Sequence, residues 1–259
     1  MSAPQSLTTA MPNGLTNATA YQTMANAGIP DPSWAHVYHN DFDTYAAGDW
    51  TVTVVGTGAV AQVAQDGGAV ALVTSAGATD SVLMQLKAAS FQATPGKDVF
   101  FKAAGIMFTD VINDAIHAGL IATSTTPLTA ADGVYIVKAA GANTWALRAI
   151  IGGVTVSAAF PAAQPMVAGA PFEVGFHIDY LGNIEGFINP TTGADWQQLD
   201  PTSTAANAMT ARGRSAFIPA SLLPSGITQV LLNPSFGITN GAASIHTLNL
   251  DYLTVAKHR

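Results

Sequence analysis

From Phe172 to Tyr180 the chain alternates without a break. Phe172, Val174, Phe176, Ile178 and Tyr180 fall on one side of an extended segment, and Glu173, Gly175, His177 and Asp179 on the other. A period of two fits a half-buried strand and excludes an amphipathic helix. Shorter versions recur along the chain. Residues 51–55 are β-branched and end at Gly56, and Val70, Leu72 and Thr74 alternate after Gly67-Gly68. Residues 82–86, 99–109 and 134–137 follow, with Gly105 inside the second as an expected bulge. Residues 145–151 and 154–156 flank Gly152-Gly153, a hairpin signal, and Leu181-Gly182-Asn183 turns into residues 184–188. Leu248, Leu250 and Tyr252 alternate with Asn249 and Asp251. Short strands about ten residues apart, joined by glycine turns, predict an all-β, two-sheet antiparallel jelly-roll sandwich. Helix is expected only at residues 110–118 and 205–212, so helices are few and short.

Two stretches break the strand rhythm. Residues 1–30 hold no charged side chain and no lasting periodicity, and Asn13-Gly14 and Ile29-Pro30-Asp31-Pro32 are breakers. An extended N-terminal arm over residues 1–35 is expected, ahead of a sandwich over residues 36–259. The arm's scattered Met11, Leu15, Tyr21, Met24 and Ile29 are its candidate assembly contacts. Residues 190–226 carry Pro190, Pro201, Pro219 and Pro224 and read as a long excursion from the sandwich. Within it Trp196, beside Asp195, is a candidate contact for a partner or a glycan.

Charge narrows the partners. Only 10% of residues are charged, against the usual quarter or so. A surface so poor in charge suits a protein covered by neighbours, and a homo-oligomer such as a trimer is expected. The net charge is −7, the first basic residue is Lys87, and basic residues come no closer in sequence than pairs such as Arg212 and Arg214. A phosphate-tracking groove needs clustered cations, so nucleic acid is not expected as a partner. Without cysteine there is no disulfide, thiolate metal site or Cys nucleophile. The start lacks the cationic and apolar blocks of a signal peptide, and no apolar run reaches membrane-spanning length, so a cytosolic product with no membrane partner is expected.

Several segments, in order, carry a family resemblance. They are Asn40-Asp41-Phe42-Asp43 with Gly48-Asp49-Trp50; Gly68 to Thr74 with Gly77-Ala78-Thr79-Asp80; and Gly96 to Ala103. Gly119 to Thr123 leads on to Asp132-Gly133-Val134, and Phe236-Gly237-Ile238-Thr239-Asn240-Gly241 precedes Leu248 to Ala256. Together they resemble the concanavalin-like, laminin-G-like jelly-roll modules of tailed-bacteriophage virion proteins. The resemblance spans about residues 36–259, apart from the excursion. It implies a structural protein of the virion, made in the host cytoplasm: a capsid decoration or cement protein bound to the major capsid protein or other virion subunits. The alternative reading is a glycan-binding module of a tail fibre or host-attachment protein.

Catalysis is not expected. Glycoside hydrolysis needs two carboxylates ~5 to 9.5 Å apart, and the chain has two glutamates, Glu173 and Glu185. Glu173 and Asp179 are about 20 Å apart along a strand. Glu185 could approach Asp179 or His177 across the turn at Gly182, but solvent-facing strand polarity explains these residues as well. No nucleophile elbow, Walker loop or dinucleotide fingerprint occurs. His177 beside Asp179 has the makings of a base and its orienter, yet residues two apart on a strand usually just share a face. His36 and His39 with Asp41 and Asp43 are metal-ligand types, without a zinc-helix motif or an EF-hand loop; no metal or cofactor is expected. Phe42, Trp50 and Trp145 read as core, His117 and His246 as strand residues without a role, and His258 as part of a charged Lys257-His258-Arg259 tail.

Overall fold

Strands with one apolar side bury it only by facing a second such sheet, and the chain does this twice over. The computed structural model describes residues 35–65, 67–88, 91–108, 112–124, 132–160, 166–189, 215–223 and 230–259. The strands are β1 (Ala35–Asn40), β2 (Trp50–Val55), β3 (Ala59–Val63), β4 (Ala69–Val73) and β5 (Ser81–Leu86). They continue with β6 (Val99–Met107), β7 (Ala115–Ile121), β8 (Gly133–Lys138), β9 (Trp145–Ile151) and β10 (Val154–Ala159). The last are β11 (Pro171–Ile178), β12 (Ile184–Asn189), β13 (Ser215–Ile218), β14 (Asn233–Thr239) and β15 (Thr247–His258). One sheet of eight strands runs β13-β12-β11-β6-β15-β4-β3, with β1 also on β15; the other, of seven, runs β10-β9-β8-β7-β14-β5-β2. All pairings are antiparallel, and the only helix among the described residues is two 3-10 turns, Ala47–Asp49 and Ala220–Leu222.

The inner faces share one core. β11 contributes Phe172, Val174, Phe176 and Ile178, as its alternation predicts, and Phe101 stacks on Phe176 with ring centroids 5.1 Å apart. From the opposite sheet come Ile116, Ala118, Ile136, Leu147 and Phe236. Trp50 and Trp145 are core residues as expected. Phe42 is fully buried against Trp50 although its φ is 58°, a left-handed conformation that Asn40 helps to hold by accepting the Phe42 N–H (2.8 Å). The hairpin at Gly152-Gly153 forms with Ile151 opposite Val154, and both glycines take the positive φ that its two-residue turn demands.

Four expectations need correction. Residues 115–118, expected as helix, belong to β7, every residue of which is buried. Flanked by β8 and β14 at the middle of the sheet, the segment gains more from two ladders than from a marginal helix. Second, the bulge is not in β6 at Gly105, whose pairing with β11 runs without a shift. It lies opposite, in β15, where the register slips between Leu250 and Tyr252. Third, Tyr252 therefore leaves the Leu248 and Leu250 face, while Leu253 and Val255 return to the core. Fourth, Tyr180 lies beyond the end of β11, 59% exposed. Within the excursion, residues 215–218 form β13, an edge strand on β12. Residues 205–212, the arm to residue 34 and Trp196 lie outside the described residues.

Gly105 faces the bulge, and a Cβ there would stand 2.6 Å from the Asn249 carbonyl oxygen and 3.4 Å from the Phe172 ring. Gly105→Ala must push strand from strand, so a loss of about 1 to 3 kcal/mol is expected. Urea unfolding of both proteins, with unchanged m-values, measures it.

Candidate functional site

Because paired residues share a face, the outer surface of the eight-stranded sheet can be read along its ladders. One row runs Phe217, Glu185, His177, Phe100, Ala256 and Val37 across β13, β12, β11, β6, β15 and β1. The next runs Phe187, Gly175, Lys102, Thr254 and His39. A third sets Glu173 beside Ala104 and Tyr252. The β15 bulge is what brings Tyr252 onto this face.

These side chains are held by one another. The His177 ring lies flat on Phe100, centroids 4.3 Å apart and planes 2° from parallel. Its Nε2 is 2.9 Å from Asp98 Oδ1, and the other Asp98 oxygen is 3.0 Å from His258 Nδ1. His258, expected in a charged tail, is thus the last residue of β15 and part of this face. Lys102 Nζ is 2.9 Å from Glu173 Oε1 and 5.2 Å from the centre of the Tyr252 ring, and the Tyr252 hydroxyl donates to the same carboxylate oxygen. Burial, then that bond to Glu173, push the Tyr252 phenol far above its ordinary range. At the β12–β13 edge the aromatic surface opens: Phe217 is 55% exposed, with half-buried Phe187 diagonal to it.

Glu185 is the odd member. It pairs with His177 across the hairpin, as the turn at Gly182 suggested, yet its Oε1 is buried without a hydrogen bond. Burial pushes its carboxyl up; His177 offsets part of this and Asp179 adds to it. Asp179 does a different job. It accepts the backbone N–H groups of Leu181 (2.9 Å) and Asn183 (2.8 Å) and the Asn183 side-chain amide (2.7 Å), closing the turn. Burial raises its carboxyl, but these bonds outweigh it and leave it below the usual range. The carboxylate that orients His177 is Asp98 rather than Asp179.

The two glutamates are not placed as a glycosidase pair. Glu173 pairs with Asn189 and Glu185 with His177, four residues along β11, a separation of about 13 Å at strand rise, beyond the range for paired glycosidase carboxylates. The outer positions of the seven-stranded sheet hold no acid on any strand. They include Thr51, Gln85, Ser235, His117, Tyr135 and Arg148, and around His117 and Tyr135 they are buried. Both His117 ring nitrogens and Arg148 Nε lack a hydrogen-bond partner. Burial, then the charge of Arg148, push the His117 imidazole down to about 3.

His246 is not idle. Its Nδ1 bonds Asp114, its Nε2 bonds the Ser244 hydroxyl, and its backbone N–H donates to Thr74 Oγ1 (3.0 Å). The order is that of a hydrolase triad. However, the Ser244 N–H, which an oxyanion hole would use, donates to the Ala242 carbonyl (3.0 Å). His246 and Asp114 are buried, and they tie the start of β15 to the start of β7 in the opposite sheet. At 132 positions apart, the pair is announced by no sequence pattern. The residues weighed as metal ligands separate: His36 stacks on Phe91 (4.7 Å) on the inner side of β1, while His39 bonds Thr254 on the outer side. Among the described residues no three His, Asp or Glu side chains group as a metal site.

No protein-family model matches the chain, and no curated protein does. Solved structures match its fold. A protein of unknown function from Shewanella oneidensis MR-1 superposes with a TM-score of 0.60 at 8% identity, over 93% of this chain and 95% of that one. An endo-1,3-beta-glucanase from Streptomyces sioyaensis gives 0.56 at 12% identity over 88% and 98%. Peanut lectin gives 0.52 at 7% identity over 86% and 97%. The chain therefore has the concanavalin-like jelly-roll fold that lectins use. Identities this low establish the fold alone.

His117 provides a test of the buried outer face. Its folded-state affinity for protons lies below that of the unfolded chain, so between pH 6.5 and about 3 the unfolded state binds the extra proton. Stability should fall as pH drops through that window, by on the order of 1 kcal/mol per pH unit from this group. His117→Leu should flatten the slope, read from urea midpoints between pH 4 and 7.

Proposed function

We propose that the chain is a non-catalytic glycan-binding module whose saccharide lies on the outer face of the eight-stranded sheet, across β13, β12, β11 and β6. The observation that carries this is the row Phe217, Glu185, His177, Phe100 with Phe187 beside it. A sugar ring has an apolar face and a hydroxyl rim. Exposed Phe217 offers a flat partner for the first. Glu185, beside Phe217 in the row, offers a carboxylate acceptor for the second. From Phe217 to Phe100 the row crosses three strand spacings, about 14 Å, room for more than one sugar unit. The lectin-like fold supports the reading, since lectins build on the same sandwich. A tail fibre or host-attachment protein of a bacteriophage is the setting proposed, where many copies would convert weak single sites into firm adhesion.

A second reading, a capsid decoration protein bound to the major capsid protein, is favoured by the surface. Val52, Val55, Val154, Leu222, Leu231 and Ile245 are exposed on a protein with only 10% charged residues. Such a surface gains from being covered, by further copies of the chain or by other virion subunits. In this reading the arm of residues 1–35 threads between neighbours, with contacts that must offset an ordering cost of about 1 to 2 kcal/mol per residue.

Glycan-array screening followed by titration of the hits tests the first reading. Phe217→Ala and Glu185→Gln should each weaken binding about tenfold or more, while Glu185→Gln alone should raise the melting temperature of the free protein near pH 7. The sign follows from burial. A carboxyl raised on folding destabilises the fold above its unfolded pKa, and the penalty disappears as pH falls below it. An array without hits, or variants that bind as well as the parent, rejects the reading. Deleting residues 1–30 separates the second: the sandwich should melt unchanged and particle binding should vanish.

A further inference from the structure

Three of the chain's nine Lys and Arg residues stand together at one end of the eight-stranded sheet, in a protein of net charge −7. Lys97, Lys257 and Arg259 line an open cleft of about 360 Å³ with His36 and His258. Pairing builds it. β15 lies between β1 and β6, with Lys257 opposite His36 on one side and Val99 on the other, while Lys97 stands on the turn that leads into β6. The walls are firm. His36 is stacked on Phe91 (4.7 Å, 10°), and Lys257 Nζ donates to Thr94 Oγ1 (3.1 Å). The turn is tied by Gly96 N–H to the Tyr180 carbonyl (2.9 Å) and Lys97 N–H to the Thr94 carbonyl (3.2 Å), and His258 N–H donates to the Asp98 carbonyl (3.0 Å).

The cations repel one another with little to balance them. Among the described residues no Asp or Glu lies within ion-pair distance of Lys97, Lys257 or Arg259. Asp98, next to Lys97 in sequence, has each oxygen on an imidazole, His177 and His258. His36 is pushed down by burial, then by Arg259 and Lys257, and Lys257 is pushed down by burial and then by Lys97. Positive groups held together against their own repulsion on rigid walls are the complement of an anion.

We propose that this cleft binds a tetrahedral oxyanion, a sulfate or phosphate ester, carried on a saccharide. Three cations from separate positions, with two imidazoles between them, suit a group with three free oxygens better than a carboxylate with two. The volume, at the low end for ligand sites, admits one substituted sugar unit. A polyphosphate chain fits poorly, because the sheet beyond the cleft carries Asp98, Glu173 and Glu185. The saccharide part rests on the glycan-binding reading, since the His258–Asp98–His177 relay joins the cleft to the Phe100 platform. The anion part stands without it.

The test uses the full chain, with imidazole NMR and calorimetry at constant ionic strength set by chloride. The probes are sodium sulfate, inorganic phosphate, a sulfated disaccharide and the same disaccharide without sulfate. Saturable shifts of the His36 and His258 rings with sulfate or phosphate, and a rise in the His36 pKa when bound, are expected. Lys97→Gln with Lys257→Gln should weaken binding at least tenfold, and the melting temperature should hold or rise as repulsion is relieved. No saturable shift with any probe, or equal binding by the double variant, overturns the site. A sulfated disaccharide that binds at least tenfold tighter than free sulfate supports the ester on a sugar; equal affinity overturns that part. Phe217→Ala should leave binding of free sulfate unchanged, so loss of glycan binding with sulfate binding intact would sink the platform alone.

Discussion

The backbone pairing of β15 is the interaction on which the rest of the molecule depends. This twelve-residue strand holds β6 along one side, and β4 and then β1 along the other, so three parts of the chain distant in sequence meet on it. Its single slip between Leu250 and Tyr252 resets the alternation partway. Before the slip Leu248 and Leu250 face the core; after it Leu253 and Val255 do. Without it Leu253 and Val255 would face solvent and the core would lose both, a penalty of several kcal/mol at the usual worth of buried aliphatic groups. The bulge also delivers Tyr252 to the outer surface, where its hydroxyl and Lys102 share Glu173. The same backbone irregularity thus keeps the core intact and orders the middle of the exposed face.

The two ends of β15 are treated in opposite ways. At its start the polar groups are buried and heavily hydrogen-bonded, apart from Asn240 Oδ1 and Asn249 Oδ1. Asp114, His246 and Ser244 form a chain, and Lys138 Nζ, fully buried, donates to the carbonyls of Ile112 (2.8 Å), Asp114 (2.9 Å) and Ala139 (3.2 Å). Asn240 donates to three more carbonyls, of Ser75, Gly77 and Ser244. Buried charge is tolerated only with such partners, and removing one would strand the others. That end is a lock between the sheets. At the far end the cations Lys97, Lys257 and Arg259 stay open to solvent, with no acid among the described residues to match them. Stability accounts for the first arrangement. The second costs stability, and a ligand is the simplest reason to keep it.

The sandwich was legible because alternation is a local property. The β11 pattern, the Gly152-Gly153 hairpin and the burial of Trp50 and Trp145 all follow from residues a few positions apart. The approach of Glu185 to His177 was legible for the same reason, since the turn at Gly182 sets that register. What escaped was set by long-range pairing. Residues 115–118 look helical in isolation and become a central strand only when β14 and β8 flank them. Asp98 orients His177 from 79 residues away, and Asp114 meets His246 from 132. Lys257-His258-Arg259 reads as a charged tail until the pairing of Lys257 with β1 and β6 makes it one wall of a cleft. The arm contacts and Trp196 lie where no geometry is described.

A fold shared by a glucanase and a lectin does not choose between them; the placement of the two glutamates bears on the choice. Hydrolysis needs two carboxyls on opposite sides of one bond, one able to give a proton and one ionised. Here the two glutamates sit on the same outer face about 13 Å apart along the sheet, and Glu173 is already committed to Lys102 and Tyr252. The outer strand positions of the other sheet carry no acid, and those around His117 are closed over by burial. What the exposed face does hold is aromatic surface, a carboxylate and fixed imidazoles, the groups on which the glycan-binding proposal rests. Rigid, pre-stacked groups lose little entropy on binding, so even a shallow face can recognise a ligand when the strands beneath it do not move.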